Sequence, residues 1–154
     1  MIHAILSKNL KPVISAMFET DADLTSVFHI ESGAGLQGCI ERTLIDLNTC
    51  DPSFRFYELR DGAEVIGFFG KEFDNYLTTI FVHPRFRKSE KMNEIWNLIR
   101  FHFDGVFYTS IYSKNTRAAS FYRKRGIMTE TFTTGSNHTA LAFKFTNNKE
   151  LICQ

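Results

Sequence analysis

Two clusters of basic side chains are the residues of this 154-residue chain whose types and spacing could hold a charged ligand. The formal net charge is only +1, so the total charge indicates neither nucleic acid nor a membrane surface as a partner. Clusters of this kind usually form solvated faces, but two of them on one small domain could together bind a polyanion. Their members are Arg85, Arg87, Lys88 and Lys91 in the first cluster, and Arg117, Arg123, Lys124 and Arg125 in the second.

The second basic cluster belongs to a short predicted helix, residues 115–125, that carries its own start and stop signals. Asn115 is a favourable N-cap residue, and the basic side chains of the last turn complement the helix dipole. Gly126 predicts a left-handed residue that ends the helix. Taken alone, the segment could be a well-capped helix with no chemical role.

The elements around this helix predict an α/β domain built on a mixed sheet. The strand of residues 76–82, the following helix and the strand of residues 107–112 predict a right-handed βαβ unit with parallel strands. An antiparallel meander precedes this unit, and a hairpin around residues 135–137 closes the domain. The predicted strands are residues 1–6, 54–59, 64–69, 76–82, 107–112, 127–133 and 139–145, and the predicted helices are residues 11–20, 36–47, 89–103 and 115–125.

Composition narrows the class of protein. The length predicts a single domain, residues 1–154, and the 16 Phe predict an aromatic-rich core while permitting an aromatic homodimer surface. Three separated cysteines without a C-x-x-C pair predict reduced thiols in the cytoplasm.

The sequence has no signal-peptide pattern and no stretch that approaches a membrane span. None of the five histidines pairs with metal-ligand spacing, so no metal is expected.

Residues 115–127 resemble the GNAT signature N-x-x-A-x-x-F-Y-x-K-x-G-F. The resemblance extends over about residues 54–145 and implies the GNAT acyl-CoA N-acyltransferase fold. In that fold a mixed central sheet contains a splayed parallel pair and is flanked by helices. Ile127 replaces the final Phe conservatively, and the residues that match in register are Asn115, Ala118, Phe121, Tyr122, Lys124 and Gly126.

The resemblance implies a general acid at Tyr122, which would protonate the CoA thiolate after an amine attacks acetyl-CoA. A thiol has a pKa near ~8.5 and a tyrosine near ~10, so this transfer is modestly uphill. The alternative is a core aromatic whose hydroxyl is paired. Asn115 would contact the pantetheine arm, and the strand residues Ile80, Phe81 and Val82 would line the cofactor site. A backbone N–H around Phe81 would hold the oxyanion.

The cofactor-binding turn departs from the family pattern V-x-P-x-Y-R-G-x-G-x-G. The Val, Pro, aromatic and Arg positions match, but Lys88, Glu90 and Met92 occupy the glycine positions. Those glycines let backbone N–H groups approach the CoA pyrophosphate at a helix N-terminus. Glu90 adds a negative charge there, which the basic residues of the turn could offset. The cofactor-binding residues predicted in this turn are Arg87, Lys88, Ser89, Glu90, Lys91 and Met92.

The sequence does not identify a general base. Many GNAT enzymes carry a Glu near the start of the central strand, and the equivalent position here is Tyr76. Glu72 or Asp74 could act through water, and Glu31 could reach the site from the N-terminal region. An amine can also lose its proton to solvent through a water chain.

Two functions of different classes follow. The first is an N-acetyltransferase that uses acetyl-CoA as co-substrate, without a metal, to acetylate a primary amine on a small molecule or a protein. The second is a catalytically inactive GNAT-like domain that acts as a binding or structural protein. Nucleic-acid binding through the two basic clusters is a weaker third reading, and it predicts a steep salt dependence.

Overall fold

The computed structural model describes residues 1–9, 11–13, 15, 54–73, 75–88, 90–135 and 137–147 of the chain. Residues 11–13 and 15 are helical, which agrees with the start of the helix predicted for residues 11–20. The remainder of that helix and the helix predicted for residues 36–47 lie outside the described residues.

A seven-stranded mixed sheet forms the framework, with the strand order β1-β2-β3-β4-β5-β7-β6. Strands β4 and β5 are parallel, and every other neighbouring pair is antiparallel. The predicted sequence of a meander, a parallel pair and a closing hairpin is therefore confirmed. The strands are β1 (Ile2–Leu6), β2 (Phe54–Asp61), β3 (Glu64–Glu72), β4 (Tyr76–Val82), β5 (Val106–Tyr112), β6 (Ile127–Thr133) and β7 (Thr139–Thr146).

Two hairpin turns place residues with a positive φ where the backbone needs them. Gly62 has a φ of 63° between β2 and β3, which glycine adopts without steric cost. Asn137 has a φ of 65° between β6 and β7, and asparagine tolerates this region better than most residues. The predicted turns at both places are confirmed.

Two α-helices cross between the strands after β4. Helix α1 spans Glu90–Arg100 and helix α2 spans Thr116–Arg123, and a 3₁₀ turn at Pro84–Phe86 precedes α1. Helix α1 ends earlier than the predicted residue 103, because the Asn147 side chain binds its C-terminal end. The Asn147 Nδ2 donates to the carbonyl oxygens of Arg100 and Phe103, at 2.8 and 2.7 Å. Among the described residues, no helix combines the length and apolar character that a membrane crossing requires.

The core between the sheet and helix α1 is rich in aromatic rings, as the composition predicted. Trp96 of α1 lies at its centre, with ring centroids 5.1 Å from Phe145, 5.4 Å from Phe121 and 6.2 Å from Tyr122. The edge-to-face arrangement of Trp96 with Phe145 and Phe121 is favourable for aromatic pairs. Helix α2 is thereby fixed against α1 and the sheet by packed rings.

Gly126 has a different role from the predicted one. The described glycines with a positive φ are Gly62 and Gly105, so the left-handed stop expected at Gly126 is wrong. A Cβ at Gly126 would lie 2.6 Å from the Lys144 carbonyl oxygen and 2.5 Å from the Phe145 ring. Glycine is required here because the chain leaving α2 passes directly over β7.

Candidate active site

The parallel strands β4 and β5 separate soon after they meet. One residue pair, Tyr76 with Tyr108, joins them in register, and the Tyr108 N–H donates to the Asn75 carbonyl at 2.8 Å. One residue further on, the Thr109 hydroxyl donates to the Leu77 carbonyl at 2.8 Å. A side chain thus continues the contact where backbone pairing stops, and a cleft opens toward the C-terminal ends of the two strands.

A β-bulge in β4 accompanies this separation. Gly70 pairs with Thr79 and Lys71 pairs with Leu77, so Thr78 is an additional residue on the β4 side. A bulge bends its strand and increases the local twist. The Thr78 Oγ1 is buried and has no hydrogen-bond partner within the described part of the chain. The bulge directs the end of β4 away from β5.

The backbone N–H and C=O groups of alternate β4 residues face the cleft, and those of the residues between them face β3. The His83 N–H donates to the Ile66 carbonyl at 2.7 Å, and Phe81 stands opposite Phe68 in the same register. Because alternate residues of a strand direct their N–H groups to opposite sides, the Phe81 N–H faces β3. The N–H groups around Phe81 that face the cleft therefore belong to Ile80 and Val82.

A cavity of about 520 Å³ occupies the cleft between β4 and helix α2. This volume is within the usual range for small-molecule sites. Its apolar lining includes Ile80, Phe81, Val82, Met92, Ala118 and Phe121. Five cationic side chains also line it, namely Arg87, Lys88, Arg117, Lys124 and Arg125. The two basic clusters of the sequence thus meet at one cavity.

Tyr122 reaches this cavity from within the core. Its side chain is 2% exposed, packs against Trp96 and Phe143, and still lines the cavity. Burial raises the pKa of Tyr122 far above the ordinary tyrosine value, and a hydrogen bond with Thr109 offsets this only in part. The phenol is consequently neutral at physiological pH.

Asn115 performs the capping role expected of it and also lines the cavity. Its side-chain oxygen accepts a hydrogen bond from the Ala118 N–H at 3.2 Å, at the start of α2. The Asn115 carboxamide nitrogen is not used by this cap. The residue therefore fixes the helix end beside the cleft.

Arg87 lies across the end of β4. Its Nε donates to the Val82 carbonyl at 2.7 Å, and its guanidinium lies 5.2 Å from the centre of the Phe81 ring. The His83 Nδ1 accepts a hydrogen bond from the Arg85 N–H at 3.3 Å at the start of the turn. These contacts fold the turn between β4 and α1, residues 83–88, back onto the strand.

The other residues predicted in the cofactor turn divide into two groups. Lys88 lines the cavity, and Met92 lines it while lying 6% exposed in the core. Glu90 and Lys91 are not among the cavity-lining residues. The Lys91 Nζ is 3.1 Å from Asp61 Oδ2, and this hydrogen bond is the main cause of the lowered Asp61 pKa. Ser89 lies outside the described residues.

Glu72, the candidate base that the structure describes, is not among the cavity-lining residues. Glu72 stands opposite Tyr76 at the far end of the β3–β4 pair, whereas Asp74 and Glu31 lie outside the described residues. The Tyr76 hydroxyl is 2.7 Å from the Ser110 hydroxyl. Among the described residues no carboxylate lines the cavity, and no group of three or more His, Cys, Asp or Glu could hold a metal ion.

Sequence reasoning did not assign the α2 cations to the site. Arg125 donates to the Phe121 carbonyl at 3.1 Å and to Asn93 Oδ1 at 3.2 Å, with its guanidinium 3.7 Å from the Phe121 ring centre. Burial lowers the pKa of Arg125. Phe121 and Lys124 follow Arg117 by four and seven residues. Helical periodicity therefore predicts that Arg117, Phe121 and Lys124 lie on one face of the helix.

Comparisons with known proteins extend this picture. No protein-family model matches the chain, and no curated protein matches its sequence. Solved structures do match. An acetyltransferase from Thermus thermophilus superposes with a TM-score of 0.66 at 16% identity, over 94% of this chain and 97% of that chain.

Two further structures were determined with ligands. A spermidine N-acetyltransferase from Vibrio cholerae, in complex with CoA and spermine, has a TM-score of 0.60 at 13% identity, over 97% of this chain and 98% of that chain. AAC(6')-Ib, in complex with ribostamycin and coenzyme A, has a TM-score of 0.65 at 14% identity, over 95% and 93%. The chain has the GNAT fold, as the resemblance of residues 115–127 implied.

Proposed function

We propose that this chain is an N-acetyltransferase that transfers the acetyl group of acetyl-CoA to a primary amine by direct attack. The observation that carries the proposal is the cavity itself. Strand β4, Tyr122 and five cationic side chains all border the same space of about 520 Å³. We further propose that residues 1–154 form one cytoplasmic domain that can assemble as a homodimer.

The residues of the cavity fit the parts of acetyl-CoA. The backbone groups of Ile80 and the N–H of Val82 face the cleft and can pair with the amides of the pantetheine arm, which then lies beside β4 as an additional strand would. The Asn115 carboxamide lies at the same cleft and can contact the arm. Apolar side chains suit the methylene groups, and the basic side chains suit the phosphates. The donor set is therefore complementary to the whole ligand.

The reaction consists of the addition of the amine to the thioester and the elimination of the CoA thiolate, accompanied by two proton transfers. The neutral amine attacks the thioester carbonyl carbon, and the carbonyl electron pair moves to oxygen. A backbone N–H of Ile80 or Val82 would stabilise that oxyanion by a hydrogen bond. The intermediate then collapses, the C–S bond breaks, and the CoA thiolate leaves while the new amide forms.

Tyr122 would act on the departing thiolate. Its raised pKa keeps the phenol protonated, so the O–H is available as a hydrogen-bond donor when the sulfur becomes negative. The same shift widens the ~1.5 unit gap between a free tyrosine and a free thiol. Full proton transfer is thus more uphill than in solution, and hydrogen bonding in the transition state carries more of the effect.

The amine proton would leave to solvent. No carboxylate lines the cavity among the described residues, so a water chain replaces the family's glutamate. The acceptor must then bind with its amine neutral, or lose its proton before attack. This predicts an activity that rises with pH until the amine is deprotonated.

The acceptor class we propose first is a small-molecule primary amine. The support is that similar folds include a spermidine N-acetyltransferase and a protein bound to ribostamycin. A lysine side chain of a protein is the alternative acceptor. An assay with spermidine, ribostamycin and a lysine peptide would rank the three.

The second candidate function is a catalytically inactive domain that binds CoA or another ligand. Two observations favour it: Tyr76 replaces the family's glutamate, and Tyr122 is only 2% exposed and packed among core rings. Calorimetric titration with acetyl-CoA, followed by a thiol-release assay with the amines above, separates the two. Binding with thiol release supports the enzyme, and binding without release for any amine supports the inactive domain. Absence of heat and of thermal stabilisation at millimolar acetyl-CoA would sink the proposed transfer.

A further inference from the structure

The cationic side chains around the cavity differ in whether they already donate hydrogen bonds within the protein. Arg87 donates to the Val82 carbonyl, and Arg125 donates to Phe121 and Asn93. Lys88 and Lys124 have no hydrogen bond or ion pair within the part of the chain that the structure describes. Both are exposed, and both line the cavity. They are therefore the side chains with donors ready for an anionic ligand.

The two lysines lie on opposite walls. Lys88 belongs to the turn between β4 and α1, and Lys124 follows the last turn of α2. With five cations and no carboxylate among the described lining residues, the cavity concentrates positive potential at this end. A ligand that ends in several phosphates would meet both walls at once.

Lys88 occupies a position at which the cofactor-binding signature has glycine. The signature that the turn resembles has glycine at residues 88, 90 and 92, where backbone N–H groups approach phosphate. Here Met92 is buried in the core and Glu90 does not line the cavity, whereas the Lys88 side chain does. Lys88 in place of glycine covers the backbone N–H groups of the turn with a side chain. The same side chain places an ammonium group at this wall of the cavity.

We propose that Lys88 and Lys124 clamp the phosphate groups of CoA from opposite walls, so that side-chain cations replace the backbone cradle of glycines. This inference rests on the proposed function, because it needs CoA to be the ligand. It assigns the phosphate contacts to two residues rather than to a loop conformation. Each ammonium group donates to phosphate oxygens and accepts nothing in return.

The test is calorimetric titration of the intact chain with CoA, at low and at high salt. The variants are Lys88→Ala and Lys124→Ala, and the matched control is Lys91→Ala, whose ammonium binds Asp61 away from the cavity. We expect each clamp variant to weaken CoA binding about fivefold, because exposed charge pairs are individually modest. The control should change it less than twofold, and the differences should shrink at high salt.

Two further ligands and one more variant sharpen the test. Pantetheine lacks phosphates, so its affinity should be the same for all variants. Dephospho-CoA shows which phosphate each lysine meets: a defect kept with this ligand indicates the pyrophosphate, and a defect lost indicates the 3′-phosphate. Lys88→Gly should bind CoA as weakly as Lys88→Ala, whereas a backbone cradle predicts binding at least as tight as that of the unmodified chain.

The outcomes separate this inference from the function on which it rests. If the unmodified chain binds CoA and the lysine variants behave like Lys91→Ala, the clamp is wrong and the transferase proposal stands. If Lys88→Gly tightens binding, the backbone cradle is correct instead. If the unmodified chain does not bind CoA, both proposals are overturned. Unchanged melting temperatures would show that the variants remain folded.

Discussion

The two walls of the cavity are built on different principles. Helix α2 is held by packing: Ala119 and Tyr122 are each 2% exposed, and Gly126 passes within contact of β7. The opposite wall, formed by the turn of residues 83–88 and the start of α1, buries Phe86 and Met92 and adds polar contacts to this packing. His83 caps the turn, and Arg87 binds the Val82 carbonyl.

This difference explains where the family signature is retained. At α2 the packed signature residues have neighbours that require them, since a larger residue at Gly126 would meet the Lys144 carbonyl, whereas Lys124 is exposed. At the turn, Lys88 and Glu90 are exposed, so the fold tolerates many side chains there. Substitutions at the packed residues of α2 should therefore change stability or catalysis, and substitutions at the exposed residues Lys88, Glu90 and Lys124 should change ligand affinity.

The largest effect is expected at Gly126. Gly126→Ala places a methyl group against a backbone carbonyl, which cannot move aside as a flexible side chain could. We expect a loss of about 2 to 3 kcal/mol in the free energy of unfolding, measured by urea denaturation. Gly135→Ala is the matched control, because a Cβ there has nothing within 4 Å and its φ is not positive. Equal stability of the two variants would show that α2 is not fixed by this contact.

Tyr122→Phe should act on catalysis rather than on binding. It keeps the ring that packs against Trp96 and removes the hydroxyl that faces the thiolate. The expected result is a fall of about a hundredfold in kcat, the lower range for a general acid. CoA affinity from calorimetry should stay within about threefold. A large loss of affinity with little change in kcat would instead make the residue structural.

The stability of the chain should depend on Tyr122 at high pH. In the unfolded chain this tyrosine loses its proton near pH 10, whereas burial raises the folded pKa and keeps the proton bound. Above pH 10 the folded state therefore binds more protons, and the free energy of unfolding falls as pH rises, by up to about 1.4 kcal/mol per unit. Urea denaturation at pH 9 and pH 11 should show a larger loss for the unmodified chain than for Tyr122→Phe. Identical losses would contradict the burial of the hydroxyl.

The smallest effect is expected at Glu90, in the first turn of α1. Glu90→Gln removes a negative charge near the phosphates without changing the shape of the exposed side chain. CoA affinity should rise about twofold at low salt, and the gain should disappear at high salt. Glu94→Gln, one turn further along the same helix, is the matched control. If both variants bind equally, the charge of Glu90 does not act on the ligand.

The framework was predictable because its signals are local. The bounds of β4 were predicted correctly from a run of apolar residues and Thr ended by Pro84, and Gly62 marked the β2–β3 turn. The end of α1 was not predicted correctly, because it depends on a hydrogen bond from Asn147, which lies far along the chain. Gly126 was recognised for the wrong reason, since its contact with β7 is visible only in three dimensions.

The site was predictable only in part, for the same physical reason. The residues of β4 and α2 reach the cavity because their positions follow from helix and strand periodicity. Lys91 does not, because Asp61 binds it from another strand. The orientation of backbone groups at Phe81 depends on the register between β3 and β4, which a single sequence does not specify.

The separation of β4 from β5 also has a consequence for amide hydrogen exchange. A central buried strand normally has its amides protected on both sides, but β4 pairs fully with β3 alone. The amides of Ile80 and Val82 should exchange quickly with solvent deuterium, while that of Phe81 should exchange slowly. Bound CoA would protect the two fast amides selectively, so the ligand would complete the hydrogen bonding of the sheet and join its two halves.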